Sequence, residues 1–379
     1  MPTFDVSARR MHLLPRIYST LLRAFPVFAL TAILFTPSNL HAQGCVVAHG
    51  TGLPETVDPA DQAKSWDVAV SYRWFQSDRH YVGIAEQKQR AAAGDQVINR
   101  SNFTDLTVNY TASPRFDVAV TIPYVSHDRS QVVKNSNAVI LDRFHTQATG
   151  LADISVIGNA WVFDPATHVN GNLQIGAGLA LPTGKDNVSD TFETYDKASG
   201  KIVAVQHAVD QSIQPGSGGY GIIVDLYGYH TLGAGFTGYF SGQYTITPQD
   251  TNGVLTSNTG TTVMSIPDTY LGRLGVEYAV APVQGLSISL GLRAEGVAVY
   301  DLVGHSNGFR RPGYSMDVEP GIIYNHNRWA VRFYIPYAIQ RDRLQSVPDK
   351  QKTRATGVYS QGDAAFADYE IISSVGYRF

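Results

Sequence analysis

The stretch Trp66-Asp67-Val68-Ala69-Val70-Ser71-Tyr72-Arg73-Trp74-Phe75 changes character at every step. One face reads Trp66, Val68, Val70, Tyr72 and Trp74. The other reads Asp67, Ala69, Ser71, Arg73 and Phe75. Side chains on a strand alternate between two faces, so this is a strand with one apolar face and one polar or small face. The pattern recurs at once. Leu106, Val108, Tyr110 and Ala112 oppose Asp105, Thr107, Asn109 and Thr111. Phe116, Val118, Val120, Ile122 and Tyr124 oppose Asp117, Ala119, Thr121 and Pro123, after the tight turn Ala112-Ser113-Pro114-Arg115.

Working outward gives twelve strand candidates, near 65–75, 103–112, 115–126, 151–163, 172–183, 219–231, 235–247, 269–281, 285–299, 314–325, 328–341 and 367–379. Short connections (Ser113-Pro114, 164–171, Leu232 to Ala234, Pro282 to Gln284, Asn325 to Asn327) alternate with long ones (76–102, 127–150, 184–218, 248–268, 300–313, 342–366). Short turns on one side and long polar loops on the other predict an all-β fold, a transmembrane antiparallel β-barrel of about twelve strands. A soluble sandwich also alternates, but its outward face is polar. Here one face is almost wholly aliphatic and aromatic, and strands facing hydrocarbon must close on themselves to pair their backbone groups. Aromatics fall at two levels: Trp66, Phe116, Phe236, Trp329 and Tyr377 low, Trp74, Tyr124, Tyr244 and Tyr337 high.

Composition agrees. Charged residues are 16% of the 379, with 35 Gly and 21 Tyr, below the charge of ordinary soluble domains. Mean hydropathy of −0.11 excludes a bundle of membrane helices. A formal charge of −3 argues against a nucleic-acid partner. One cysteine excludes a disulfide framework or a Cys-rich metal site, and no cofactor fingerprint is present.

Residues 1–42 read as a cleaved signal peptide: Arg9, Arg10, Arg16 and Arg23, an apolar run Ala24 to Phe35, and Leu40-His41-Ala42 at the cut. The run is too short to span a bilayer. Cys45 follows closely, but Gln43 makes a poor lipidation signal. Residues 43–64 have no strand pattern and are expected to be a periplasmic segment or partial plug, with the barrel over 65–379. The expected location is the bacterial outer membrane, in its lipid bilayer. The chain ends Val375-Gly376-Tyr377-Arg378-Phe379, and a terminal aromatic is the feature by which the barrel-assembly machinery would recognise it.

A resemblance lies further in. Thr149-Gly150-Leu151-Ala152-Asp153-Ile154, then Leu181-Pro182-Thr183-Gly184-Lys185-Asp186, then Gln214-Pro215-Gly216-Ser217-Gly218-Gly219-Tyr220, is similar to the barrels known as meta-pathway phenol-degradation proteins. Ala152 and Lys185 depart mildly from that pattern. The resemblance implies an outer-membrane barrel and hints at an apolar solute.

Inward positions carry eleven acids and five arginines by this reading. Arg273, Glu277, Arg293, Glu295, Glu319 and Arg332 fall on four consecutive strands near mid-depth and are expected to form an interstrand ion ladder. It either braces the lumen or sets a mixed-charge constriction. Pro123, Pro182, Pro248 and Pro336 stand late in upward strands. Proline cannot donate to the ladder, so each marks a strand end, or Pro123, Pro182 and Pro336 flank a lateral gap. Gly304-His305-Ser306-Asn307 resembles the His-x-Ser-Asn of outer-membrane phospholipase, but one residue too close for base and nucleophile to share a strand face. The expected function is passive passage of a small, apolar or aromatic solute. The alternatives are a lipid acyl hydrolase, or a closed structural barrel with binding loops.

Overall fold

The computed structural model describes residues 64–256 and 262–379. The expected signal segment, Cys45 and, save Lys64, the 43–64 segment lie outside the described residues. Twelve strands make the wall: β1 (Ser65–Val82), β2 (Ile98–Ser113), β3 (Phe116–Lys134), β4 in two halves (Ile140–Leu151 and Ile154–Trp161), β5 (Gly171–Leu181), β6 (Gly221–Gly233), β7 (Phe236–Ile246), β8 (Thr269–Ala279), β9 (Leu286–Val297), β10 (Gly313–His326), β11 in two halves (Trp329–Tyr334 and Tyr337–Arg343) and β12 (Ala364–Arg378). Each pairs antiparallel with its neighbours in sequence, and β12 pairs with β1 from Asp67↔Arg378 to Tyr81↔Ala364, which closes the barrel. At the short-turn end the Phe379 N–H donates to the Trp66 carbonyl (2.8 Å), so the last residue is tied to the first strand.

The solvent pattern is inverted relative to a soluble protein. Val70, Leu106, Ile175, Val224, Leu274 and Leu290 are exposed on the outer face, while Arg73, Arg293 and Glu319 are buried inside. Only a surrounding hydrocarbon makes that distribution favourable. The aromatic levels read from the sequence are joined across strands. Trp66 meets Tyr110 (4.6 Å), Phe236 meets Tyr278 (4.7 Å) and Trp329 meets Tyr377 (4.8 Å) low on the wall; Trp74 meets Tyr369 (5.9 Å) high on it. The β6–β7 turn, Ala234-Gly235, has positive φ at both residues, as a two-residue hairpin turn matched to strand twist requires.

Two expected loops are largely strand. β1 runs on to Val82 and β2 starts at Ile98, within 76–102; β3 and β4 continue to Lys134 and from Ile140, within 127–150. The reason is a change of phase. Above the membrane the outer face meets water, and the apolar residues move inside: Phe75, Phe103, Val125 and Ala152 form one buried cluster, Tyr81, Ala364 and Phe366 another. A pattern search tuned to apolar-out, polar-in stops where that inversion begins.

The long 182–220 connection carries a hairpin (Ser189–Asp196 with Lys201–Ala208) and then turns back over the lumen through a 3₁₀ turn, Gln211–Ile213. Val209 and Ile213, both fully buried, seat it on Ala148 of β4.

Candidate functional site

Inward residues divide the lumen into two unlike halves. At mid-depth, from β8 round to β1, they include long charged side chains. Glu370 on β12 accepts from Arg73 on β1 (2.6 Å), and Arg73 also donates to Glu295 on β9 (2.5 Å). Arg293 donates to Glu295 (3.0 Å) and to Glu319 on β10 (3.4 Å), and Arg273 on β8 donates to Glu319 (2.7 Å from Nε). The result is an alternating chain of six charges crossing the lumen. Arg73 and Glu319 are fully buried. Each interior member has two opposite partners, which is what allows such charges to leave water. Arg273 also lies over the Tyr334 ring (4.7 Å).

Of the six positions singled out in the sequence, four (Arg273, Arg293, Glu295 and Glu319) are joined in this ladder. Glu277 and Arg332 lie outside the ladder, among the residues that line the lower cavity. Arg73 and Glu370 complete the ladder and were read only as inward charges. Their signal is the alternation itself, but only closure of β1 on β12 and the chord to β9 bring them together.

Toward the long loops β2 to β7 carry short, acidic and amide side chains, and among the described residues a cavity lies there; lower on the same strands Trp161, Tyr227 and Tyr239 pack as a buried cluster. An upper chamber of about 250 Å³ is lined by Thr107, Asn159, Gln174, Ile223 and Leu271 among others, and roofed by Gln211, Gln214, Met264 and Ile266. A second cavity of about 370 Å³ lies toward the short turns, between Tyr227, Tyr239, Arg273, Trp329 and Arg378. On β1, β6, β7, β8 and β12 the residues lining the first lie nearer the long-loop end than those lining the second. The two share Asn109 and Arg332.

The prolines sit in different surroundings. The Pro123 carbonyl accepts the Ala152 N–H (2.9 Å) where β4 is broken. There Asp153 is gripped by the Gly184 N–H (3.0 Å), the Ser217 N–H (2.8 Å) and the Ser217 hydroxyl (2.6 Å), and Thr183, next to Pro182, donates from its hydroxyl to the Ala152 carbonyl (3.0 Å). The three quoted motif segments are thus one knot. Backbone packs on backbone within it: a Cβ on Gly184 would lie 2.7 Å from the Gly216 Cα. Pro336 differs. The upper half of β11 pairs with β10, the upper end of β12 pairs with β1, and between those two edges stands one pair, Tyr337↔Tyr369. Above it the gap is bridged by a side chain, Arg341, which donates to the Ala367 carbonyl (2.8 Å) and to Asp368 (2.6 Å).

The His305-Ser306 pair is turn structure. The Ser306 hydroxyl accepts the Asp301 N–H (2.8 Å), and the His305 ring, largely exposed, lies 3.7 Å from Asp250.

No family model and no curated protein matches the chain. Solved structures do. The COG4313 outer-membrane channel of Pseudomonas putida F1 superposes with a TM-score of 0.55 at 11% identity, over 86% of this chain and all of that one. A Pseudomonas aeruginosa FadL homologue (TM-score 0.42, 7% identity, 83% of this chain and 90% of that one) and the P. putida toluene transporter TodX (0.40, 8%, 88% and 92%) are more distant. The chain is an outer-membrane β-barrel. The likeness carries the fold; what the barrel does rests on its lumen.

Proposed function

We propose that this barrel is a passive channel for small, apolar or aromatic solutes, and that the path runs from the upper chamber, on the β2–β7 side, into the lower cavity bordered by β1, β6 to β8 and β10 to β12. The observation that carries the reading is the pair of cavities that share Asn109 and Arg332, one toward the long loops and one toward the short turns, beside a mid-depth ladder of ion pairs. A purely structural barrel fills its interior with side chains; the described residues of this one leave two cavities inside it. Of the predicted constriction, Arg332, Arg273 and Glu277 border the path, while Arg293, Glu295 and Glu319 brace the wall that confines it. The resemblance to phenol-degradation barrels and the channel named in the P. putida F1 comparison point the same way. The terminal Phe379 is the proposed contact for barrel assembly.

A lateral exit at Pro336 is a second route, favoured by the missing ladder between β11 and β12 above Tyr369. Pro123 and Pro182 are held in the Asp153 knot and fit strand ends better. The reading is tested by planar-bilayer conductance together with swelling of proteoliposomes in small uncharged solutes. Activity in either is expected. Silence in both, from protein shown to be folded, overturns the channel.

A further inference from the structure

One level of the upper chamber is a continuous row across five strands. On β3 to β7 the inward positions in register are Asp117, Asn159, Gly176, Asp225 and Gln243, each paired with the next. Asn159 and Gln174 donate to the two oxygens of Asp117 (2.8 and 2.9 Å), so that carboxylate is occupied. With its N–H directed there, Asn159 turns its Oδ1 toward Gly176. On the far side of the glycine, Asp225 has one hydrogen bond among the described residues, from Gln243 at 3.4 Å, longer than the about 2.7–3.2 Å usual for N–H···O. Gly176 itself leaves a gap. A Cβ there would run into Asn159 Oδ1 and lie 3.0 Å from the Asp225 Cβ and 3.1 Å from Ile157 Cγ2. The row therefore holds a notch one side chain wide, flanked by two oxygen acceptors. Its surroundings are apolar. One level toward the long loops stand Ile157 and Ile223, on either side of Gly178; one level toward the short turns Trp161 and Tyr227 meet edge to face (6.1 Å).

We propose that this notch is a hydroxyl subsite: the chamber takes small apolar or aromatic solutes that carry one hydrogen-bond donor, with Asn159 and Asp225 accepting from it and Gly176 leaving it room. This rests on the channel reading above for the solute's passage, and names the solute class. A hydroxyl fits a gap of one side chain and gives its hydrogen to Asp225 or Asn159, while its ring or alkyl body lies against Ile157 and Ile223. An ether of the same shape strips water from both oxygens and returns no donor, which is the costly case for a buried acceptor. A pocket built to accept from a hydroxyl therefore rejects the analogue lacking it far better than shape alone could. The difference in affinity is about tenfold to a hundredfold where the acceptor is an ionised carboxylate.

The test is equilibrium binding to the purified barrel in detergent, followed by ligand-observed NMR with benzyl alcohol and benzyl methyl ether as paired probes, and planar-bilayer conductance of the same preparation. Partitioning into micelles is common to the wild type and its variants and cancels when they are compared. The alcohol is expected to bind about tenfold to a hundredfold more tightly than the ether. Gly176→Ala fills the notch and displaces the end of the Asn159 side chain, which can rotate away. It is expected to weaken the alcohol alone and so bring the two affinities together. Asp225→Asn keeps the shape and removes the charge. It is expected to narrow the preference by a smaller step, and it serves where the alanine variant does not fold. A merely structural role for either residue would weaken both probes alike. Equal binding of the two probes, binding of neither, or a preference that neither substitution narrows overturns the subsite; conductance by the same preparation then leaves the channel standing. Selective binding by a barrel that neither conducts nor swells liposomes keeps the subsite and overturns the channel.

Discussion

The two sides of this lumen are built on the same alternation, the same antiparallel ladder and the same lipid-facing surface, yet at mid-depth one is spanned by ion pairs, while the other borders a chamber toward the long loops. On β8 to β12 and β1 the inward residues include Arg73, Arg273, Arg293, Glu295, Glu319 and Glu370, long enough to meet across the barrel. On β2 to β6 they include Thr107, Asn109, Ala119, Thr121, Asn159, Gln174 and Ile223, which are shorter and line the upper chamber. The position of the cavities in this twelve-stranded barrel is therefore set by side-chain reach and charge pairing, with strand number fixing only the frame.

The sharpest way to break this comparison is to remove one charge from each half. Glu319→Ala deprives both Arg273 and Arg293 of a fully buried partner, and a loss of about 3–5 kcal/mol is expected. It is read as a large drop in the temperature at which the folded band disappears on heat-modifiability gels. Asp225→Asn, on the open side and held by one amide (3.4 Å), should cost under about 1 kcal/mol, in the range of a partly satisfied hydrogen bond. Equal losses would mean that the cavity side is as tightly braced as the ladder side.

Gly184→Ala comes next. It places a methyl group 2.7 Å from the Gly216 Cα and 2.9 Å from Ala152, against backbone that has little room to yield. Overpacking of this kind costs about 1–3 kcal/mol. Because the knot roofs the chamber side only, loosening should raise channel noise in bilayer recordings while the ladder side keeps the barrel folded. Unchanged noise together with unchanged stability would show that the knot is plastic.

The wall was legible because lipid enforces one rule on every strand: apolar residues at every second position, over enough length to cross. Trp66 to Trp74 states it in nine residues. The mid-depth ladder was legible in part, since Arg273, Arg293, Glu295 and Glu319 lie on strands that neighbour one another in sequence. Arg73 was not assigned to it, because its partners Glu295 and Glu370 are 222 and 297 residues away and reach it only through closure. The cavity was invisible for a related reason: a void is a property of side chains that fail to meet, and no local pattern records a failure. The strand tops were missed where Phe75, Phe103 and Val125 reverse the apolar face.

The smallest effect belongs to the cap over the chamber. Asp210, in the segment that turns back over the chamber, is 8% exposed; it accepts from both terminal nitrogens of Arg311 (2.6 and 2.5 Å), and Arg129 lies 3.4 Å away. Burial pushes its carboxyl up, but Arg129 and Arg311 outweigh burial and hold it well below the usual carboxylate range. A carboxyl whose folded pKa is depressed contributes stability that is present above its unfolded value, about 3.9, and is lost as pH falls below that value toward the folded one. At neutral pH the contribution is complete, so the cap is expected to be closed under ordinary conditions. Acidification below about pH 4 should loosen it, read as faster hydrogen exchange in residues 209–220 while β8 to β12 stay protected. Asp210→Asn should show that faster exchange already at neutral pH and little further change on acidification. If exchange in 209–220 and in the ladder side rises together, the cap and the wall are one cooperative unit, and the division of the lumen into a braced side and a separately covered chamber side does not extend to its dynamics.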